Sequence, residues 1–316
     1  RLPRAIRDVY KRQRLTAVVA TAALALTGCS ANGEKEKGSA ETVEIKHAQG
    51  TTQVPKNPKK IFSYDLAATD TLKALGTDVA GVAKFVYPEQ MKYLEADKYT
   101  KIGGPKEPDL EKVAAEKPDL IIISGRTADA YKDLREIAPT IDMSVDATKP
   151  LESFEENTRS LAKIVDKEKE ADEKLGELEK RIDEVKARAE KSGLTTMTLM
   201  VSGGKLTAYA KGSRFGIIND ILGFKPAADV KASGPHGESV SFEFVKDKNP
   251  GAIFAIDRDQ AIGETSGESA KQVLDNELVN KTDAAKNNKI IYLDAANWYL
   301  VGYGLTLSLI HISERA

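Results

Sequence analysis

The sequence predicts an α/β protein of two three-layer α/β/α lobes joined by a long bridging helix, with a ligand cleft between the lobes. Three observations carry this. Helix-then-strand units recur in the first part, as in "DLEKVAAEKPDLIIIS". The stretch from Leu151 to Lys191 holds no proline and one glycine, and alternates Glu and Lys densely. Beyond Gly193 the α/β pattern starts again.

Taken in order, "VEIKHAQGTTQVPKNPKKIFSYD" alternates like a strand, turns at Pro55 to Pro58 and enters a short apolar strand at Ile61. In "LAATDTLKALG", Leu66, Thr69, Leu72 and Leu75 share a helix face, and Gly76 stops the helix. "DVAGVA" reads as a short strand. "DLEKVAAE" reads as a helix, Pro118 ends it, and Leu120 to Ile123 form a fully apolar strand. Phe154, Leu161, Ile164, Leu175, Leu178, Ile182 and Val185 then mark one apolar stripe on about 40 residues of helix, broken near Asp166 to Lys169. "TTMTLMVS" and "LTAYA" are strands, "FGIINDILG" a helix, "PGAIFAID" a strand, "SAKQVLDNELV" a helix and "KIIYLD" a strand. Expected boundaries are 43–150 for the first lobe, 151–192 for the bridge and 193–306 for the second lobe. The lobes share a plan, but no internal repeat is visible in the sequence. A helical bridge predicts limited closing motion.

A length of 316 residues suits two domains. Basic and acidic residues balance, 47 against 48, which argues against a nucleic-acid partner. One cysteine, Cys29, excludes an intrachain disulfide and a cysteine-based zinc site. It ends "LTAVVATAALALTGC", an apolar run behind a basic stretch. Residues 14–28 therefore read as a secretory signal, too short to span a membrane. "LTGC", Leu26 to Cys29, resembles the bacterial lipobox, which implies lipidation of Cys29, with 29–42 as a flexible polar tether. Both ends, "RLPRAIRDVYKRQ" and "SLIHISERA", resemble translated sequencing-adapter tails, so residues 1–13 and 307–316 are expected to be non-native.

Lipobox, first lobe, bridge and second lobe together resemble the helical-backbone (class III) substrate-binding proteins of ABC importers, from about Val43 to Thr306. More narrowly, "SGRTADAY", "YAKGSRFGIINDILGFKPA", "SGPHGESVSFEFVKDKNPGAIFAIDR" and "NWYLVGYGLT" resemble the catecholate-siderophore subgroup. That resemblance implies a monomeric lipoprotein on the extracytoplasmic face of the cell membrane. It would capture a ferric catecholate-type siderophore, petrobactin-like, and deliver it to an ABC permease and its ATPase. It would do no chemistry and hold no intrinsic cofactor; the ferric siderophore is the transported ligand.

The chemistry fits the residues. Such a complex carries about three negative charges and needs cations that keep their protons, the role of arginine. The motifs place these on Arg126 of "SGRT", Arg214 of "KGSRFG" and Arg258 of "AIDRDQ". Arg126 and Arg258 follow buried strands, where open α/β sheets place ligand contacts. Arg214 precedes a helix, whose first amides favour anions. The resemblance also implies that His236 and Tyr299 complete the iron shell when a siderophore brings only four donors. Gly234 and Gly237 would let the His236 loop swing. Glu111 of "DLEKV" and Glu243 of "SFEFV" would dock onto permease arginines.

Other readings stay open at this level. A haem- or cobalamin-binding protein of the same fold would turn the arginines to the ligand's carboxylates. A zinc or manganese carrier needs several histidines, and with His47 in a strand and His311 in the tail only His236 remains. "SLAK", Ser160 to Lys163, matches a penicillin-enzyme motif but lies in the charged helix with no Lys-Thr-Gly partner. A surface adhesin would have no small-molecule affinity.

Overall fold

The computed structural model describes residues 41–231, 236–264 and 266–306. The signal segment 14–28, Cys29, most of the tether, and the two tails 1–13 and 307–316 lie outside the described residues. The chain opens with an antiparallel hairpin of β1 (Thr42–His47) and β2 (Gly50–Pro55). The sequence reading put the first turn at Pro55 to Pro58; the chain already reverses at Ala48 and Gln49, with Gly50 at φ +132°. The Gln49 amide donates to the Ala128 carbonyl at 2.9 Å and to Asp142 Oδ2 at 2.8 Å, which seats the hairpin on the first lobe.

That lobe contains β3 (Ile61–Ser63), α1 (Leu66–Ala74), β4 (Gly81–Val82), β5 (Thr100–Lys101), α2 (Leu110–Glu116), β6 (Leu120–Ile123) and β7 (Thr140–Asp142). Its sheet is wholly parallel, in the order β5-β4-β3-β6-β7. A parallel sheet is covered on both faces, and strand side chains alternate between them. Leu120 and Ile122 of β6 accordingly join the apolar cluster of Leu66 and Leu72 from α1. Ile121 and Ile123 join that of Val113 from α2, with Phe62 and Tyr131. Asp65 caps α1 by accepting from the Ala67 amide at 3.1 Å. Asp109 caps α2 by accepting from that of Lys112 at 3.0 Å.

The bridge is a pair of helices, α3 (Pro150–Ile164) and α4 (Glu168–Ser192). Asp166 stands between them at φ +52°, its carboxylate held by Lys56 Nζ at 2.8 Å and by the Asn57 amide. Arg159 Nε reaches Asp172 Oδ1 at 3.1 Å. On one straight helix those residues would stand about 20 Å apart along the axis. The helices therefore meet at a sharp angle, at the break expected near Asp166 to Lys169. Phe154 and Leu161 of α3, and Leu178, Ile182 and Val185 of α4, share one buried cluster with Phe215, Ile217 and Leu222 of the second lobe. A close-packed core that runs through the bridge resists bending there.

The second lobe contains β8 (Thr195–Ser202), β9 (Lys205–Tyr209), β10 (Lys225–Pro226), β11 (Glu238–Val240), α5 (Phe242–Lys248), β12 (Ala252–Asp257) and β13 (Ile290–Tyr292). Its sheet runs β11-β9-β8-β12-β13, with β10 also beside β8. β8, β12 and β13 are parallel; β9 runs antiparallel to both of its neighbours, β8 and β11. The two helices expected here are shorter. Of those two expected segments, only Ile217–Asp220 and Ala270–Leu274 are α-helical. The second stops because Asn276 Oδ1 accepts from the Leu278 and Val279 amides at 3.0 and 3.1 Å, bending the chain. Among the described residues no helix is long and apolar enough to cross a membrane.

Candidate ligand-binding site

The C-terminal end of β6 opens onto the cleft, and that of β12 leads to Arg258 just behind it. Arg126 follows β6 in a 3-10 turn, Gly125–Ala130. That turn is pinned twice: the Gly125 amide donates to Ser144 Oγ at 2.8 Å, and Thr127 Oγ1 donates to the Pro105 carbonyl at 2.6 Å. Arg258 follows β12 directly. Its Nη1 is held by Ser202 Oγ at 3.2 Å and Asp259 Oδ1 at 3.4 Å. Arg214 lies between β9 and the Ile217–Asp220 turn, beside buried Phe215.

All three guanidinium groups converge on Tyr299, which lies in a π-helical turn, Asn297–Val301. Arg126 Nη2 donates to the Tyr299 carbonyl at 2.9 Å, and Arg214 Nη2 donates to the same oxygen. Arg258 Nε donates to the Tyr299 hydroxyl at 3.2 Å. The guanidinium carbons of Arg214, Arg126 and Arg258 stand 4.4, 5.2 and 5.8 Å from the ring centroid. These separations lie within cation–π range.

Such crowding has electrostatic consequences. Burial lowers the Arg214 pKa, and the Arg126 charge lowers it further; an arginine nonetheless keeps its proton. Burial works to raise the Tyr299 phenol. The Arg258 hydrogen bond and the charges of Arg214, Arg258 and Arg126 outweigh it and hold the phenol below its ordinary value. Burial pushes Tyr87 and Tyr93 up to about 12, so Tyr299 ionises well before them. Arg258→Gln is therefore expected to move the earliest phenolate phase of an alkaline absorbance titration to higher pH. An unmoved early phase would show that Arg258 does not hold this phenol.

Arg126, Arg214, His236 and Tyr299 all line one cavity of about 560 Å³ between the lobes. Its floor includes Leu161 of α3 and Trp298. Arg258 is not among the lining residues; it stands one step back, on the Tyr299 hydroxyl. His236 is exposed at the cavity wall, just after residues 232–235, which include Gly234 and lie outside the description. Gly237 has a different role from the swinging hinge expected of it. A Cβ there would overlap the Ala208 carbonyl, so glycine is required for the close approach of β11 to β9. Among the described residues no three His, Cys, Asp or Glu side chains group as a metal site. His236 and Tyr299 could supply two donors to an iron that arrives with its own ligands.

A family model described as "Periplasmic binding protein" matches residues 61–296. The chain belongs to the periplasmic binding protein family. It is 42% identical over 303 residues to the petrobactin-binding protein YclQ of Bacillus subtilis, covering 93% of this chain and 95% of that one. The YclQ crystal structure superposes with a TM-score of 0.84 at 43% identity, covering 87% of this chain and 97% of the other. VctP, the periplasmic catecholate-siderophore binding protein of Vibrio cholerae, superposes with a TM-score of 0.83 at 30% identity, over 87% and 99% of the two chains. FatB of Vibrio anguillarum, a ferric-anguibactin-binding protein, is 29% identical over 94% of this chain and 95% of its own.

In this periplasmic binding protein, two charged lining residues escaped the sequence reading. Lys106 projects from the turn closed by the Gly103–Pro108 bridge and adds a cation; a lysine in "GGPKEP" was a visible turn signal. Asp65, the α1 cap, is the one acid lining the cavity among the described residues. Burial raises its pKa to about 6, against hydrogen bonds from Ala67, Ala68 and Ser124 and the Arg126 charge.

The superposed plan of the lobes also exposes a repeat. Glu111 and Glu243 are exposed second residues of α2 and α5, after the caps Asp109 and Ser241. In each lobe a buried valine follows, Val113 or Val245, then a left-handed residue, Lys117 at φ +50° or Asn249 at φ +43°. Next come Pro118 or Pro250, a core strand, and Arg126 or Arg258. Arg126 follows Glu111 at the interval at which Arg258 follows Glu243. Each lobe thus carries the same unit, with a glutamate at the start of its helix and an arginine at the end of its strand.

Proposed function

We propose that this protein is the extracytoplasmic substrate-binding lipoprotein of an ABC importer, and that it captures a ferric catecholate-type siderophore of the petrobactin type for iron uptake. The observation that carries this is the convergence of Arg126, Arg214 and Arg258 on one aromatic ring in the cleft. Among the described residues, only Arg258 of the three has an ion-pair partner, Asp259. A surplus of fixed cations in a half-enclosed cavity calls for a multiply charged anion. The names of YclQ and VctP, a petrobactin binder and a catecholate-siderophore binder, support the same class. None of the three relatives named above is a haem or cobalamin protein by name.

In this reading Arg126 and Arg214 take the anionic oxygens of the complex, with Lys106 at the rim. His236 and Tyr299 serve complexes that leave two iron positions open, and a phenol held below its ordinary pKa suits a phenolate ligand. Cys29 carries the lipid anchor. Glu111 and Glu243 meet the permease, and binding is followed by hand-over without chemical change. Trp298 is the chain's single tryptophan, is 4% exposed and lines the cavity, so its emission reports occupancy. Ferric petrobactin and related ferric bis-catecholates are expected to quench it saturably, at or below about 1 μM. Saturable quenching by haemin with a Soret band, and none by ferric catecholates, would replace this reading with the haem one.

A further inference from the structure

The Tyr299 carbonyl belongs to the second lobe, and one of its two donors, Arg126, belongs to the first. A carbonyl oxygen has two acceptor lone pairs, enough for two guanidinium donors. It sits in the last turns of a helical segment, where carbonyls lack partners inside the helix. The result is an oxygen clamped between two arginines from opposite walls of the cleft. That is the position and coordination an anionic ligand oxygen would take. We propose that Tyr299 is a positioning and specificity residue. Its main-chain carbonyl stands in for a ligand oxygen, ties the two lobes in the ligand-free protein, and admits only ligands anionic enough to displace it.

Carbonyl and ligand oxygen compete for the same two guanidinium groups. The carbonyl is a neutral acceptor, so its bonds to arginine are charge-assisted on the donor side only, whereas an anionic oxygen adds direct Coulombic attraction to the same guanidinium. A multiply charged complex therefore exchanges with the carbonyl at a gain, and a neutral complex exchanges at none. The Tyr299 ring meanwhile keeps the guanidinium groups near their places while the carbonyl is released, since Arg126 and Arg214 face it at 5.2 and 4.4 Å. Ligand binding then replaces an existing inter-lobe tie and adds no new one, so the lobes need move little. This inference rests on the proposed anionic ligand for its selectivity, and on the Arg126–Tyr299 hydrogen bond alone for the tie.

The test separates the two. The full chain carrying Cys29→Ser receives spin labels at Lys132→Cys and Lys246→Cys, exposed positions on opposite lobes, and the inter-lobe distance distribution is measured without ligand. Arg126→Gln is expected to broaden and lengthen the distribution. Arg214→Gln, which removes the donor on the carbonyl's own lobe, is expected to leave it unchanged, and so is Tyr299→Phe, which keeps both carbonyl and ring. An unchanged distribution in Arg126→Gln overturns the tie, and equal broadening in Arg126→Gln and Arg214→Gln overturns it in favour of a general charge effect. Addition of ferric petrobactin to the unsubstituted protein is expected to leave the mean distance where it was. Failure of ferric petrobactin to quench Trp298 would count against the siderophore reading and leave the ligand-free result standing.

Discussion

Arg126→Ala combined with Arg214→Ala is expected to remove measurable binding of ferric petrobactin while the protein stays folded. Each guanidinium makes charge-assisted contacts inside the cavity, and such contacts are worth about 1.5–3 kcal/mol each. Each single variant should therefore weaken binding by roughly 10- to 150-fold, and the double variant by more than either. Arg214, closest to the Tyr299 ring at 4.4 Å and held below its ordinary pKa by burial, should cost more than Arg258. Arg258 stands outside the cavity lining and is paired with Asp259 at 3.4 Å. Trp298 quenching measures the affinities, and a circular-dichroism melt checks the fold. A double variant that binds like the unsubstituted protein would move the ligand site elsewhere.

Glu111→Arg combined with Glu243→Arg is expected to abolish ferric-siderophore uptake by cells and leave binding in solution within about twofold, since rim charges act on encounter with a partner rather than on a distant pocket. Both glutamates are exposed at the same position of equivalent helices, one on each lobe. In each unit the helix is capped, turned by a left-handed residue and fed into a core strand, so the glutamate is held on a rigid element. Opposed like charges at a docking surface cost several kcal/mol. Cells that import ferric petrobactin normally with the double variant would dismiss these two residues as the docking points.

Much of the fold was legible because local chemistry agreed with it. The α2–β6 unit carries an Asp109 cap, a proline stop and an unbroken apolar strand, and each signal acts within a few residues. The break in the bridge was legible too, as a change of phase in the apolar stripe. Its sharp angle was not, because Lys56 and Asn57, which hold Asp166, lie far away in sequence. The first hairpin was missed because its turn, "HAQG", lacks an Asn-Gly or Asp-Gly pair. The helix at Ala270–Leu274 was drawn too long because its apolar spacing continued past the point where Asn276 bends the chain.

The candidate site divides along the same line. By itself, the sequence determined the fold class and the residue types that meet in the cleft, because strand ends, caps and motif spacing are local properties. The resemblance of its motifs to the catecholate-siderophore subgroup pointed to Arg126, Arg214, Arg258, His236 and Tyr299 one by one. Only the tertiary structure decided that three arginines share one tyrosine, that Arg258 stands behind it, and that Asp65 and Lys106 join the cavity. Arg126 and Tyr299 are 173 residues apart. Their hydrogen bond exists because two separately built lobes are packed through one core, and no local preference encodes a distance across that gap.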